Sequence, residues 1–183
     1  MAGSLLLPVS VDVGDLPADV LLESVVNAKG DLLVANAADT VVRLPVGSDG
    51  QILEALASDG EGIVWVGHKE VIVVAVGDEI TPISADTSLV TFRMPFAMTV
   101  TAVRGSLSIA GSTGTTVDIN DGGTTILSTK LTFDSAEKTT TTAATPAVIS
   151  DAALADDAEI TIDIDAAGTD AAGLKVYIIG TRT

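Results

Sequence analysis

Cysteine is absent from this chain of 183 residues, and His68 is its only histidine. Without cysteine there are no disulfide bonds and no thiolate metal sites, and one histidine excludes a metal site built from several imidazoles. No G-x-S-x-G motif supplies a serine for His68 to activate. Neither of the glycine-rich phosphate-binding motifs, G-x-x-x-x-G-K-[ST] and G-x-G-x-x-G, occurs. We interpret His68 as a linker residue beside Lys69 and Glu70, the alternative being a chemical role. The sequence predicts no enzyme, no cofactor and no metal.

Basic residues are scarce: nine lysines and arginines face twenty-five acidic residues, giving a formal net charge of -16. Such a surface repels polyanions, which argues against nucleic acid and anionic membrane surfaces as partners. No apolar run approaches the roughly 18 residues that a membrane span needs. No secretory signal is evident at the start, because Leu5–Leu7 has no basic residue before it and Pro8 follows.

Aromatic residues make up only 3% of the chain. Valine, isoleucine, threonine and alanine dominate instead, and they suit half-buried, pleated surfaces better than helices. Side chains this small fill little core volume per position. We therefore expect neighbouring subunits to supply part of the stability.

Two acidic stretches resemble the beginning of a calcium loop. Residues 163–170 give D-x-D-x-x-G-x-D, but the twelfth position is Leu174 where a calcium loop requires Glu. A second stretch that begins like a calcium loop has Asp118 and Asn120 at its first and third positions. It has Gly122 at the fifth position and Thr129 at the twelfth. Opportunistic calcium binding is one interpretation, and outward-facing strand and turn residues that keep the surface soluble are the other, which we favour.

A third acidic group, Asp156, Asp157 and Glu159, has the composition of paired catalytic carboxylates. Glycosidases use two such groups, at separations that a sequence does not show. An aromatic-poor chain offers few platforms for stacking sugars. We favour a solvated loop over glycan cleavage.

The chain divides by pattern into an N-terminal arm (1–28), a connector (29–70) and a C-terminal domain (71–183). The arm alternates apolar and polar residues to about residue 18, and helical spacing predicts a short helix over Ala18–Asn27. The connector contains short strand candidates separated by glycine-rich turns at 47–50 and 58–62. Its strand candidates are 32–35, 41–44, 51–55 and 62–66.

The C-terminal domain shows strand candidates at intervals of about 8 to 12 residues, typical of an antiparallel β-sandwich. Apolar and polar residues alternate in 116–119 and 160–165, which predicts strands with one buried face and one solvent-exposed face. A shift of apolar phase predicts a β-bulge near Ala102–Arg104. Residues 120–123, Asn-Asp-Gly-Gly, predict a hairpin turn, and Leu174–Ile179 is apolar enough for a central strand. The predicted fold is all-β, an extended short-strand oligomerisation segment followed by a jelly-roll-like sandwich.

The connector resembles a segment common in tailed-bacteriophage fibre and virion structural proteins. The shared motifs are KGDLLV at 29–34, R-L-x-V-G-x-x-G-Q-x-L at 43–53 and G-x-x-W at 62–65, in that order, and they cover about a fifth of the chain. Ala35 stands where the pattern usually carries glycine. Residues 92–182 are also similar to C-terminal β domains of phage fibres and appendages.

This resemblance implies a non-enzymatic virion component that is assembled in the host cytoplasm: a short tail or head fibre, a spike or a capsid decoration subunit. It implies a homotrimer that docks through its N-terminal region onto capsid, neck or tail proteins and projects the sandwich outward. The alternative is a receptor- or carbohydrate-binding module that contacts a host surface glycan through loops such as 111–114, 120–123 and 166–173. The expected interface side chains, with Trp65 as the main anchor, are Leu32, Leu33, Val34, Val42, Leu44, Val46, Ile52, Leu53 and Trp65.

Overall fold

The computed structural model describes residues 26–38 and 40–183. The predicted N-terminal arm and the helix over Ala18–Asn27 lie almost entirely outside these residues; Val26 and Asn27, which are described, are not helical. Within the described ranges the chain is all-β, as predicted, with fifteen strands and one short 3₁₀ turn. None of the helical structure in this part of the chain is long and apolar enough to cross a membrane.

The chain divides into two compact units, and the boundary falls between Val66 and Gly67. The first unit holds most of the connector, whose strands form two separate two-stranded sheets, β1 with β2 and β3 with β4. All four strand candidates predicted for it are confirmed. Their bounds are β1 Leu32–Ala37, β2 Thr40–Leu44, β3 Gln51–Ala55 and β4 Ile63–Gly67.

The second unit is built from two antiparallel sheets with an apolar core between them. One has the strand order β5-β15-β7-β13, and the other has the order β6-β14-β8-β11, with β9 beside β8. A small β10–β12 sheet completes the unit. The bounds are β5 Lys69–Val76, β6 Asp86–Arg93, β7 Met98–Ser106, β8 Thr115–Asp121, β9 Thr124–Thr125, β10 Leu127–Thr129, β11 Leu131–Phe133, the 3₁₀ turn Thr140–Thr142, β12 Val148–Ile149, β13 Ala153–Leu154, β14 Glu159–Ala166 and β15 Leu174–Arg182.

The strand pairing of the second unit is nested. Apart from the short β9, the two main sheets have eight strands. In chain order the first pairs with the last (β5 with β15), the second with the seventh (β6 with β14), the third with the sixth (β7 with β13), and the fourth with the fifth (β8 with β11). A long antiparallel hairpin rolled up into two sheets gives this order, which is that of a jelly roll. The predicted jelly-roll-like sandwich is therefore confirmed.

The core consists of twenty buried apolar residues, all of them between Val74 and Ile178. Strict alternation along β14 and β15 puts one side of each strand into it. Ile160 and Ile162 on β14 are fully buried, as are Val176 and Ile178 on β15. Strand β15 lies between β5 and β7, so its prediction as a central strand is confirmed.

Local irregularities follow the predicted turn chemistry. Gly122 and Gly123 have φ angles of 55° and 82° and join β8 to β9, which confirms the predicted hairpin turn. Ile179 of β15 lies opposite Ala102 of β7, but the next residue of β15, Gly180, lies opposite Val100. Thr101 is therefore an extra residue on β7 and forms a bulge. The bulge lies one residue before the predicted range.

The prediction of a solvent-exposed outer face is wrong at Asp118 on β8 and at Thr161 on β14. Val117 and Ile119 face the core as expected, but Asp118 is only 4% exposed and Thr161 is also buried. The Thr125 side chain, which follows the hairpin turn, donates a hydrogen bond to Asp118 and helps to cover it. Sequence alternation shows which way a side chain points, not what another segment places over it.

Candidate functional site

Four of the nine predicted interface residues lie together on one face of the β1–β2 sheet. The register puts Leu32 opposite Leu44 and Val34 opposite Val42, and directly opposite residues share a face. Leu33 lies on the other face, opposite Arg43. The first sheet therefore has apolar groups on both faces.

Val46, Ile52 and Leu53, which are also predicted interface residues, are exposed. Val46 lies in the segment between the two sheets, where its side chain packs over Gly30; a Cβ on Gly30 would lie 2.9 Å from the Val46 Cγ2. Gly30 has a φ of 87°, which a residue with a side chain rarely adopts. Ile52 and Leu53 on β3 are both exposed.

Trp65 on β4 is half-buried within its own unit. Its indole N–H donates a hydrogen bond of 2.8 Å to the Pro45 carbonyl oxygen. A Cβ on Gly47 would lie 2.7 Å from the indole Cδ2, so only glycine fits beneath the ring. Gly47, expected to form a turn, instead permits this close contact, and Trp65 fixes the segment from Pro45 to Gly47 against β4.

Few of the connector's large apolar side chains are buried. Among the described residues up to Val66, only Val34 belongs to the buried apolar set, whereas seven large apolar side chains are exposed. Two of them, Val41 and Leu56, were not among the predicted interface residues, although their hydropathy alone would have pointed to them. The seven are Leu32, Leu33, Val41, Val46, Ile52, Leu53 and Leu56.

Two of the residues considered for catalysis, His68 and Glu159, contact charged side chains. His68 Nδ1 lies 2.9 Å from the Glu70 carboxylate. Glu159 accepts a 2.9 Å hydrogen bond from Arg93, and the same guanidinium donates to the Asp157 backbone carbonyl. Glu159 and the carbonyl of Asp157 are therefore joined through Arg93, and this geometry favours a structural role over acid–base chemistry.

The buried carboxylate of Asp118 belongs to an ion-pair network on the outer side of β8. Lys130 Nζ lies 2.9 Å from Asp118 and 2.5 Å from Asp165. Asp118 also accepts hydrogen bonds from the Thr125 hydroxyl at 2.5 Å and the Ile119 amide at 2.8 Å. Hydrogen bonds to Asp165 and Asp118 raise the pKa of Lys130 above its ordinary value. The Lys130 ammonium group therefore lies between these two carboxylates, in the position that a bound metal cation would need.

The calcium-like stretches do not converge into a metal site. Asp163 accepts hydrogen bonds from the Asn120 amide at 2.9 Å and the Ser88 backbone N–H at 2.6 Å. Within residues 26–38 and 40–183, no group of three or more acidic or histidine side chains is arranged to hold a metal ion. These side chains fasten β14 to β6 and β8.

A cleft of about 210 Å³ lies between the β5–β6 loop and the core. The charged residue that lines it is Asp78, whose carboxylate accepts hydrogen bonds from the Thr81 backbone and hydroxyl and from the Ile80 backbone. These bonds, led by the Thr81 amide, lower the pKa of Asp78 below its ordinary value. The carboxylate is thus used to close the turn.

Of the three loops considered for receptor contact, two lie side by side. Ser112 N donates to the Thr169 carbonyl at 2.9 Å, and Gly111 and Gly168 are in backbone contact. The third loop, 120–123, follows the opposite end of β8. The structure therefore brings 111–114 and 166–173 together and leaves 120–123 apart.

No protein-family model, no curated protein and no solved structure matches this chain.

Proposed function

We propose that this protein is a non-enzymatic structural subunit of a tailed-phage virion, a short fibre, a spike or a decoration protein. Its connector associates with copies of itself and with other virion proteins, and the assembly displays the jelly roll. A homotrimer is the expected state, and capsid, neck or tail proteins are the expected docking partners.

The contrast between the two units is the observation that carries this proposal. The jelly roll has a core of twenty buried apolar residues. The described part of the connector has one buried apolar residue and seven exposed large ones. Isolated two-stranded sheets are marginally stable in water, so connector strands of this composition need a partner to cover them.

The jelly roll does not select the function by itself. The fold occurs in viral capsid proteins, lectins and cupins, and a shared fold does not imply a shared function. The proposed virion role is based on the three motifs that follow one another between Lys29 and Trp65. The acidic surface favours protein partners over nucleic acid.

The test is the mass of the full chain in solution, measured by sedimentation equilibrium. We expect a homo-oligomer that is weakened when Leu33 and Leu53 are changed together, as Leu33→Ser and Leu53→Ser. If the copies bury these side chains, each change costs about 1–2 kcal/mol of association free energy. Val148→Ser is the matched control, because Val148 is 49% exposed but lies in the jelly roll.

A parent chain that remains monomeric would contradict the proposal, as would a double variant that associates as tightly as the parent. The virion assignment has its own readout, the protein content of purified particles of the phage that encodes the chain. We expect a fixed copy number on the particle. About sixty or more copies would indicate head decoration, and three to eighteen a tail or collar appendage.

The second candidate is recognition of a host receptor or surface glycan. The observation that favours it is the contact between loops 111–114 and 166–173, which gives one end of the jelly roll a continuous polar surface. Saturable binding on a glycan array, lost when Thr113 and Thr169 are both changed to alanine, would favour this function.

A further inference from the structure

The outer side of the β5–β15–β7 sheet is apolar. In the register of the three strands, Val73 lies opposite Tyr177, and Val71 lies opposite Ile179, which pairs in turn with Ala102. These side chains point away from the core, because their neighbours along the strands, such as Val74, Val176 and Ile178, are buried in it. Val71 and Val73 are each 54% exposed. We refer to Val71, Val73, Ala102, Tyr177 and Ile179 as the apolar face.

The outer side of the opposite sheet has a different character. There Asp163 lies directly opposite Asp118, and Asp165 follows on the same side of β14. An antiparallel sheet that packs on a core with one side normally carries polar residues on its other side, as this second sheet does. An exposed apolar patch on a folded domain is typical of an interaction site.

Two cationic side chains lie on the same side of the sheet without a carboxylate partner among the described residues. Arg104 lies opposite Tyr177, and Lys69 lies two residues before Val71 on β5. Lys175 is also on this side, but it pairs with Glu79 at 2.5 Å. Arg104 differs from the other three arginines: Arg43 and Arg93 pair with carboxylates and Arg182 lies over Phe96, but Arg104 has neither kind of partner among the described residues. We therefore expect a partner that binds this face to be apolar at the centre of the contact and anionic at its edge.

The chain itself meets that description. It presents the same apolar face, and its twenty-five acidic residues supply carboxylates that an adjacent copy can place against Arg104 and Lys69. Beside Tyr177 and Ile179 is a depression of about 380 Å³, which is bounded by Arg104 and Thr141 and suits an inserted side chain. Strand β5 is the edge of its sheet, with its outer backbone groups free to pair within this unit's described residues.

We propose that the apolar face is an interface between copies of this chain, which meet about a symmetry axis with this face turned towards the axis. Apolar side chains fill the centre, and Arg104 and Lys69 contact acidic residues of the adjacent copy. The inference rests on the proposed homo-oligomer and adds to it: the jelly roll takes part in association together with the connector.

The experiment combines one disruptive and one conservative change at Val73 in the full chain. Val73→Glu places a carboxylate in the apolar centre and should raise the dissociation constant about tenfold or more, measured by sedimentation. Thr91→Glu is the matched control, because Thr91 is exposed on β6, the edge strand of the other sheet. It should leave the dissociation constant unchanged.

Val73→Cys keeps the test independent of any folding defect in Val73→Glu. Since the parent has no cysteine, maleimide labelling then reports on this position alone. We expect labelling to be slow when the protein is concentrated and to become fast on dilution, while Thr91→Cys is labelled quickly at both concentrations.

Each other outcome overturns a defined part of the account. If the parent is oligomeric but Val73→Glu keeps its mass and Val73→Cys is labelled quickly, the interface is wrong and the proposed function stands. Protection of Val73→Cys that does not change on dilution means that another segment of the same chain covers the face, which also overturns the interface. A monomeric parent overturns both proposals.

Discussion

At the scale of single residues, close packing explains several positions that composition alone would assign to turns. Gly47 lies under the Trp65 ring, and Gly105 lies where a Cβ would be 2.5 Å from the Phe133 ring. Gly180 on β15 faces the Thr99 carbonyl, next to the bulge in β7. In each case the missing Cβ allows another group to approach, and the cost of adding one depends on whether that group can move.

Gly180→Ala should destabilise the jelly roll, because the new methyl group would overlap the Thr99 carbonyl oxygen, a backbone atom that cannot move alone. We expect the free energy of unfolding to fall by about 1–3 kcal/mol, the usual cost of overpacking. Denaturant unfolding followed by circular dichroism measures it. Gly60→Ala is the control, since nothing lies within 4 Å of a Cβ at that position; equal stability of the two variants would contradict this explanation.

At the scale of elements, the connector is held together by a few polar contacts instead of a core. The Trp65 indole bonds to the Pro45 carbonyl, and the Gln51 side chain accepts a 2.6 Å hydrogen bond from the Ser48 amide. Arg43 pairs with Asp31 at 3.5 Å across the start of the first sheet. Such contacts define the shape of the connector but bury little apolar area, and this is the reason for proposing that association supplies the remaining stability.

Trp65→Ala should weaken the oligomer because it releases the segment from Pro45 to Gly47 and removes the largest ring in the connector. We expect a loss of about 2 kcal/mol or more in association free energy, measured by sedimentation. Trp65→Phe keeps an aromatic ring over Gly47 and loses only the hydrogen bond, so its effect should be smaller. If Trp65→Ala has the same mass distribution as the parent, the connector does not depend on this contact.

At the scale of the whole molecule, stability is distributed unevenly between the two units. The jelly roll has a large core of its own, whereas under the proposed function the connector depends on partner copies. The fold, the strand positions and the turn at Gly122 were predictable, because alternation and positive φ angles are local properties of the sequence. The proposed interfaces depend on which side chains other segments leave uncovered.

Dilution should separate the thermal unfolding transitions of the two units. Trp65 is the only tryptophan and lies in the connector, so its fluorescence reports on that unit. We expect the midpoint of the Trp65 signal to fall on dilution by more than the midpoint of the far-ultraviolet circular dichroism signal, since association stabilises by mass action. Two midpoints that stay equal at every concentration would contradict an uneven distribution of stability.

The sequence by itself determined the structural class, the strands of the connector, the bulge in β7 and the central position of β15, because these follow from patterns between near neighbours. The tertiary structure alone decided that Asp118 is buried beneath Thr125 and Lys130, and that Val73 and Tyr177 form part of an apolar outer face. The physical reason is sequence separation. β5 pairs with β15 from the other end of the domain, and what covers each side of a sheet depends on such distant pairings, which no local pattern encodes.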